Sequence, residues 1–219
     1  MLGRTHFFVG IAAALAIQQP QTFPVLVAGT GAAAIGGVIP DIDSSSSEAH
    51  RSADEAILVS VLAVIAVIVA DRVFHAGIYE KIRSDSSMER VVIGIALFLA
   101  VCAFGKRQPH RAFMHSFVAL LLFTWCVSII LPAAAPYFAT AFGSHMVIDL
   151  LNYKGEQLLW PLRHRFCLRM CESDGFIYKA LMSIGIVVTV FLLVPSVPAK
   201  NALGAVLTHQ PGRKEVKEM

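Results

Sequence analysis

The chain alternates between apolar runs and short polar breaks. The runs are FFVGIAAALAI (7–17), FPVLVAGTGAAAIGGVIP (23–40), EAILVSVLAVIAVIVADRVF (55–74), RVVIGIALFLAVCAFG (90–105), FMHSFVALLLFTWCVSIILP (113–132), APYFATAFGSHMVIDLL (135–151) and FIYKALMSIGIVVTVFLLVP (176–195). A membrane-spanning helix needs about 20 mostly apolar residues, within about 17–25. The last six runs therefore predict full spanning helices, and the first predicts one short N-terminal helix. That first run resembles a secretory signal, but no small-residue cleavage site precedes a soluble domain, so it reads as a retained helix. At this hydropathy pattern, helices are what satisfy their own backbone in lipid. The fold class is all-α, a polytopic membrane helical bundle.

The breaks have their own character. QQPQTFP (18–24) reads as a turn, and SSSSEAHRSADE (44–55) as a polar loop ending in acidic residues at a helix start. AGIYEKIRSDSSMER (76–90) reads as another loop. The basic stretch 152–175 contains Trp160, and its apolar and cationic residues alternate as on a surface-lying helix. Residues 1–199 form one membrane-embedded domain, and 200–219 form a polar C-terminal tail.

Composition agrees with the pattern. The chain of 219 residues is 56% hydrophobic and only 15% charged, against about 25% charged in a soluble domain. Mean hydropathy is +0.67. A net charge of +3 is too mild for a nucleic-acid partner. The basic residues lie between apolar runs, as membrane anchors do. Cys102 and Cys126 lie inside apolar runs, and Cys167 and Cys171 are spaced i, i+4 in the basic stretch. Two thiolates alone do not make a zinc site, so the cysteines read as free thiols of a reducing compartment.

Candidate chemistry changes the picture most. An ionisable side chain inside a span costs roughly 2.5–3.5 kcal/mol on insertion scales, so each one invites an explanation. His145 and Asp149 in SHMVID stand one turn apart on a single helix face, which suits two ligands of one metal. HRAFMHS places His110 at a helix entrance and His115 deeper, and the pair converges only if His110 belongs to the preceding turn. In PDID, Pro40 favours an extended or turn conformation before it. Asp41 and Asp43 repel each other unless a cation lies between them. If the segments cross alternately, His6, Asp41, Asp43, His110, His115, His145 and Asp149 all arrive at one membrane face. A mixed set of this size suits two metals sharing a bridging hydroxide, or one metal with carboxylates that orient its histidines. Zn²⁺ is the first choice and Mn²⁺ the second, as one or two ions.

The combination of TH near the N-terminus, PDID, HRAFMHS and GSHMVIDL…LLWPL resembles the YdjM-like family. These are bacterial inner-membrane proteins described as LexA-regulated, metal-dependent hydrolases. The resemblance runs from Thr5 to about Leu162. Met114 stands where the commoner form of the motif has threonine. The resemblance implies a multi-pass protein of the bacterial inner membrane with a metal-dependent hydrolase activity.

The expected function is therefore hydrolysis of an amphiphilic or phosphoester substrate at the bilayer face through a metal-activated water. Membrane lipids are the expected partners. Arg111 is the candidate for holding an anionic substrate group, with a cationic membrane anchor as its other reading. Glu156 is the candidate general acid or base. A metal-ion or proton transporter using the same His/Asp cluster is the rival reading. It requires polar residues through the bilayer, which the third, fourth and seventh runs nearly lack, and the cluster stays at one side. A metal staple without activity is the third.

Overall fold

The structure, a computed structural model, describes residues 3–43, 47–75, 77–170 and 175–193. The tail 200–219 and Cys171 lie outside the described residues. Helices α1 (Gly3–Gln18), α2 (Phe23–Val38), α3 (Ser47–Phe74), α4 (Ile78–Asp85), α5 (Met88–Gly105), α6 (Phe117–Ile130), α7 (Ala135–Leu150) and α8 (Phe176–Leu193) follow in order. Three 3₁₀ turns connect or extend them, at Ile39–Asp43, Phe113–His115 and Pro132–Ala134. Among the described residues the fold is all-α. Its one strand-like feature is an isolated bridge between Glu156 and Phe166.

The six full spans expected from the apolar runs are not reached. Among the described residues, three helical stretches are long and apolar enough to cross a membrane: Phe23–Asp43, Met88–Gly105 and Phe176–Leu193. A fourth would combine Leu58–Phe74 with Ile78–Ser84, but the two are bent by 104°. The physical reason is that an apolar run is not a straight helix. The run 113–132 loses its start to a 3₁₀ turn and to Ser116, which caps α6 by accepting from Ala119 N–H at 3.2 Å. Pro132 ends it, leaving 14 helical residues, or about 21 Å at 1.5 Å per residue, against a hydrocarbon core of about 30 Å.

Other breaks also differ from expectation. The stretch 44–55 is helical from Ser47 onward, and 76–90 contains α4. The expected surface-lying helix over 152–175 is absent from the described residues of that stretch. Gly155 and Pro161 interrupt any helical path there, and the chain folds back on itself instead. It is useful in that form. Leu168 N–H and Met170 N–H donate to Leu150 and Leu151 carbonyls at the end of α7, at 2.7 and 2.9 Å, and Phe117 N–H at the start of α6 donates to Leu158 O at 3.0 Å. Helix ends leave such groups unsatisfied, so this loop closes one end of the bundle. Trp160 fixes it by packing edge-on to Phe113 and Phe104.

Helices α1, α2 and α7 pack pairwise at the centre, with α8 on α1, α3 on α2, α6 on α7 and α5 on α6. Among the described residues, two larger apolar clusters fill the interior, one around Phe123, Phe138 and Phe142 and one around Leu15, Leu26 and Tyr137, with a smaller one at Ile148 and Tyr178. The outer faces of α3, α5 and α8 expose Leu62, Ile65, Leu99, Val187 and Phe191. Exposed apolar surface of that kind suits lipid better than water. Close packing at the centre depends on Gly36 and Gly37. A Cβ on Gly36 would lie 2.6 Å from Phe138 O, and one on Gly37 would lie 2.7 Å from His6 O. Small residues let membrane helices approach this closely. The approach brings α1, α2 and α7 together just below their polar ends.

Candidate metal centre

Four elements deliver polar side chains to the end closed by the 151–170 loop. α1 brings His6 in its first turn. α2 continues into the 3₁₀ turn Ile39–Asp43, so the chain at Pro40 tightens rather than extends, and it brings Asp41 and Asp43. The turns after α5 bring His110 and Arg111, followed by His115. α7 brings His145 and Asp149. His6, Asp43, His115, His145 and Asp149 are each no more than 1% exposed.

Asp41, His115, His145 and Asp149 each offer one ligand atom, and these four atoms lie within 4.8 Å of one another. His145 Nε2 is 3.3 Å from His115 Nε2 and 3.7 Å from Asp41 Oδ1. Asp149 Oδ2 is 3.4 Å from His115 Nε2 and 3.9 Å from His145 Nε2. Two ligands of one ion at about 2.1 Å and a tetrahedral angle are about 3.4 Å apart, so the donor set fits one divalent transition ion. The tautomers agree. His145 Nδ1–H donates to Gly37 O at 2.8 Å. A carbonyl only accepts, so in neutral His145 the lone pair is on Nε2, facing the cluster. His115 turns Nδ1 toward Asp43 Oδ2 at 3.7 Å and Nε2 toward the centre. That is the carboxylate–histidine–metal order that orients metal ligands.

The remaining sequence candidates take other positions. Asp43 is not among the four. It binds the turn after α5, accepting from His110 Nδ1–H at 2.7 Å and Arg111 N–H at 3.1 Å. His110 sits at the rim with its side chain 37% exposed. His6 stacks on His145 with ring centroids 3.9 Å apart, and its Nε2 is 3.3 Å from Asp149 Oδ1. Arg111 is 4% exposed, so it is no lipid-facing anchor. Its guanidinium donates to Asp149 Oδ2 at 2.8 Å and also to Lys154 O. Met114 is buried in the apolar core against Gly105, where a threonine hydroxyl would find different company.

Glu156 is fully buried, and neither carboxylate oxygen has a hydrogen-bond partner. Paired backbone bonds with Phe166, both 2.9 Å, hold it in place. Burial pushes its carboxyl up to about 8. His115 and Arg111 pull the other way, while Asp149 and Asp41 add to the rise. In metal-free protein the unfolded chain releases this proton near 4.5 and the folded chain holds it to about 8. Stability from this group is therefore complete below the lower value and is lost as pH rises through the upper one, by at most about 1.4 kcal/mol per pH unit. Glu156→Gln lacks the term. In chelator-treated protein, wild-type melting temperature should fall relative to Glu156→Gln between about pH 5 and pH 8. A difference that stays constant across that range would refute the assignment.

Two contributions had no signal in the ligand-type residues: the Gly37 carbonyl that fixes His145, and the Lys154 carbonyl that holds Arg111. The first was marked by the double glycine inside an apolar helix, which signals close backbone approach.

The whole site falls within a match to known sequences. A family model described as YdjM inner membrane protein matches residues 1–208. No curated protein and no solved structure matches the chain.

Proposed function

We propose that this chain, which belongs to the YdjM inner membrane protein family, is a metal-dependent hydrolase acting on an amphiphilic phosphoester at the bilayer face. The observation that carries this reading is the buried quartet Asp41, His115, His145 and Asp149, with one ligand atom of each within 4.8 Å of the others. A divalent ion held there would polarise the scissile group and make water acidic enough to attack it at neutral pH. Zn²⁺ and Mn²⁺ both suit imidazole and carboxylate donors.

The charge balance supports a cation. Asp41, Asp43 and Asp149 supply three negative charges, and Arg111 one positive charge. One divalent ion neutralises the remainder. Without it, balancing the buried carboxylates falls to the histidines that face them. Arg111 acts on Asp149, so its role is to position a ligand. Glu156, with its proton held to about 8, would give or take a proton near neutrality.

The substrate class rests on the surroundings. A cavity of about 610 Å³ lies between α1, α2 and α3, lined by Phe7, Ile11, Leu26, Ala34, Leu62 and Val67 among others. Phe7 is the neighbour of His6 in sequence. Along α2 the cavity runs from Phe23 to Ala34, about 16 Å at the helical rise. An acyl chain suits such a groove, with its head group at the cluster. The transporter reading gains nothing here. Phe123, Phe138 and Phe142 are fully buried in the interior of the bundle and offer no polar path through it.

Detergent-purified protein should hydrolyse at least one member of a panel of lipid phosphoesters. Activity should disappear with a chelator and return with Zn²⁺ or Mn²⁺. Turnover that is unaffected by complete metal removal would overturn the reading.

A further inference from the structure

We propose that a second divalent cation is held between His6 Nε2 and Asp149 Oδ1, so that the Asp149 carboxylate bridges two ions. This rests on the reading of Asp41, His115, His145 and Asp149 as the first metal site.

The inference starts from groups that the first site leaves unused. His6 is 0% exposed, and neither ring nitrogen has a hydrogen-bond partner. Leaving a buried polar group unsatisfied costs about 1–3 kcal/mol, and His6 carries two. Asp149 divides its oxygens between two environments. Oδ2 takes Arg111 and faces His115 and His145. Oδ1 is buried without a hydrogen-bond partner and faces His6 Nε2 at 3.3 Å. That separation again matches two ligands of one ion, about 3.4 Å apart. Asp41 Oδ2 is also buried and unpartnered, which leaves the free oxygen of another first-site ligand.

The ring stacking sets the spacing. His6 and His145 are stacked 3.9 Å apart with planes 27° from parallel. Each presents Nε2 toward Asp149, one toward Oδ1 and the other toward Oδ2. Two such rings serve two ions side by side, and paired catalytic ions sit about 3.5–4 Å apart. Four protein ligands leave the first ion room for water only as a fifth ligand. An ion held by His6 and Asp149 keeps open positions, which is what hydrolysis needs.

The second ion also narrows the substrate. Even with Glu156 ionised, two divalent ions and Arg111 exceed the four carboxylates by one positive charge. Such a site attracts an anionic group. A phosphoester meets that requirement, and a neutral ester or amide does not.

The test is equilibrium dialysis of the metal-stripped, full-length protein in detergent against Mn²⁺ alone. Bound metal is counted, and electron paramagnetic resonance spectra are recorded. Wild type should bind two ions per chain with a spin-coupled signal. His6→Phe keeps the stacked ring and removes its nitrogens. It should bind one ion and give the signal of isolated Mn²⁺. One ion in wild type, without coupling, would overturn the second site and leave the first intact. No bound ion in wild type would overturn the hydrolase reading itself. Two coupled ions in His6→Phe would overturn the assignment of His6. The wild-type count stands even if the variant does not fold.

Discussion

Asp149→Asn is expected to release metal and to lower hydrolysis about a thousandfold, with the helices still in place. Asp149 is the most connected residue of the cluster. Its Oδ2 is 2.8 Å from Arg111 and 3.4 Å from His115 Nε2, and its Oδ1 is 3.3 Å from His6 Nε2. Asparagine keeps the shape and one carbonyl oxygen, so Arg111 retains an acceptor. What it removes is the negative charge that binds the cation. A metal contributes several kcal/mol to stabilising charge in the transition state, and about 4 kcal/mol corresponds to about a thousandfold in rate. Alanine is the wrong probe, because it would strand the Arg111 guanidinium in the interior. Thr140→Val serves as the control. It breaks the hydrogen bond from Gln18 to Thr140 near the start of α7, where no ligand lies. Metal content and turnover are measured on both variants. Full metal occupancy in Asp149→Asn, or an equal loss in Thr140→Val, would sink the assignment of Asp149 as a ligand.

The polar face of α7 was legible because a helix has a fixed period. Four residues separate His145 from Asp149, and that spacing alone puts them on one side. The expectation that His6, Asp41, Asp43, His110 and His115 meet at the same end rested on alternating spans, and the structure gathers them there with fewer helices long enough to cross among the described residues. The division of labour among them was not legible. Asp41 and Asp43 look equivalent in sequence. A 3₁₀ turn rotates each residue by about 120°, so Asp41 meets His145 while Asp43 meets His110 and Arg111. The number of spans was misread for a related reason. Hydropathy counts apolar residues, whereas Ser116, Pro132 and the bend before α4 decide where a helix is straight. The 151–170 loop was misread because its alternation of apolar and basic residues fits more than one conformation. Its backbone partners on α6, on α7 and at Arg111 lie far away in sequence, where no local pattern reveals them.

Arg111→Met should destabilise the metal-free protein by about 3–5 kcal/mol, the usual cost of removing one partner of a buried ion pair. The metal-loaded protein should lose much less. Arg111 and Asp149 are both almost fully buried, and their side chains meet at 2.8 Å. Without arginine and without metal, only the imidazoles of His6, His115 and His145 stand beside the Asp149 charge. With metal bound, the ion takes over the arginine's role. The thermal shift on adding Zn²⁺ should therefore be larger in the variant than in wild type. Backbone effects do not confuse the comparison. Arg111 has φ of +60°, a left-handed conformation that arginine and methionine both resist, so the cost is common to the two. Its backbone N–H to Asp43 and its carbonyl, which accepts from Gln157 N–H at 2.9 Å, also survive the change. Arg111→Lys is the companion variant. It keeps the charge but loses the planar fork that reaches Asp149 and Lys154 O together, so it should fall between the other two. Melting curves of all three proteins, with and without metal, decide the matter. If Arg111→Met lost the same stability in both states, the arginine would be packing the loop rather than balancing the Asp149 charge that the metal otherwise shares.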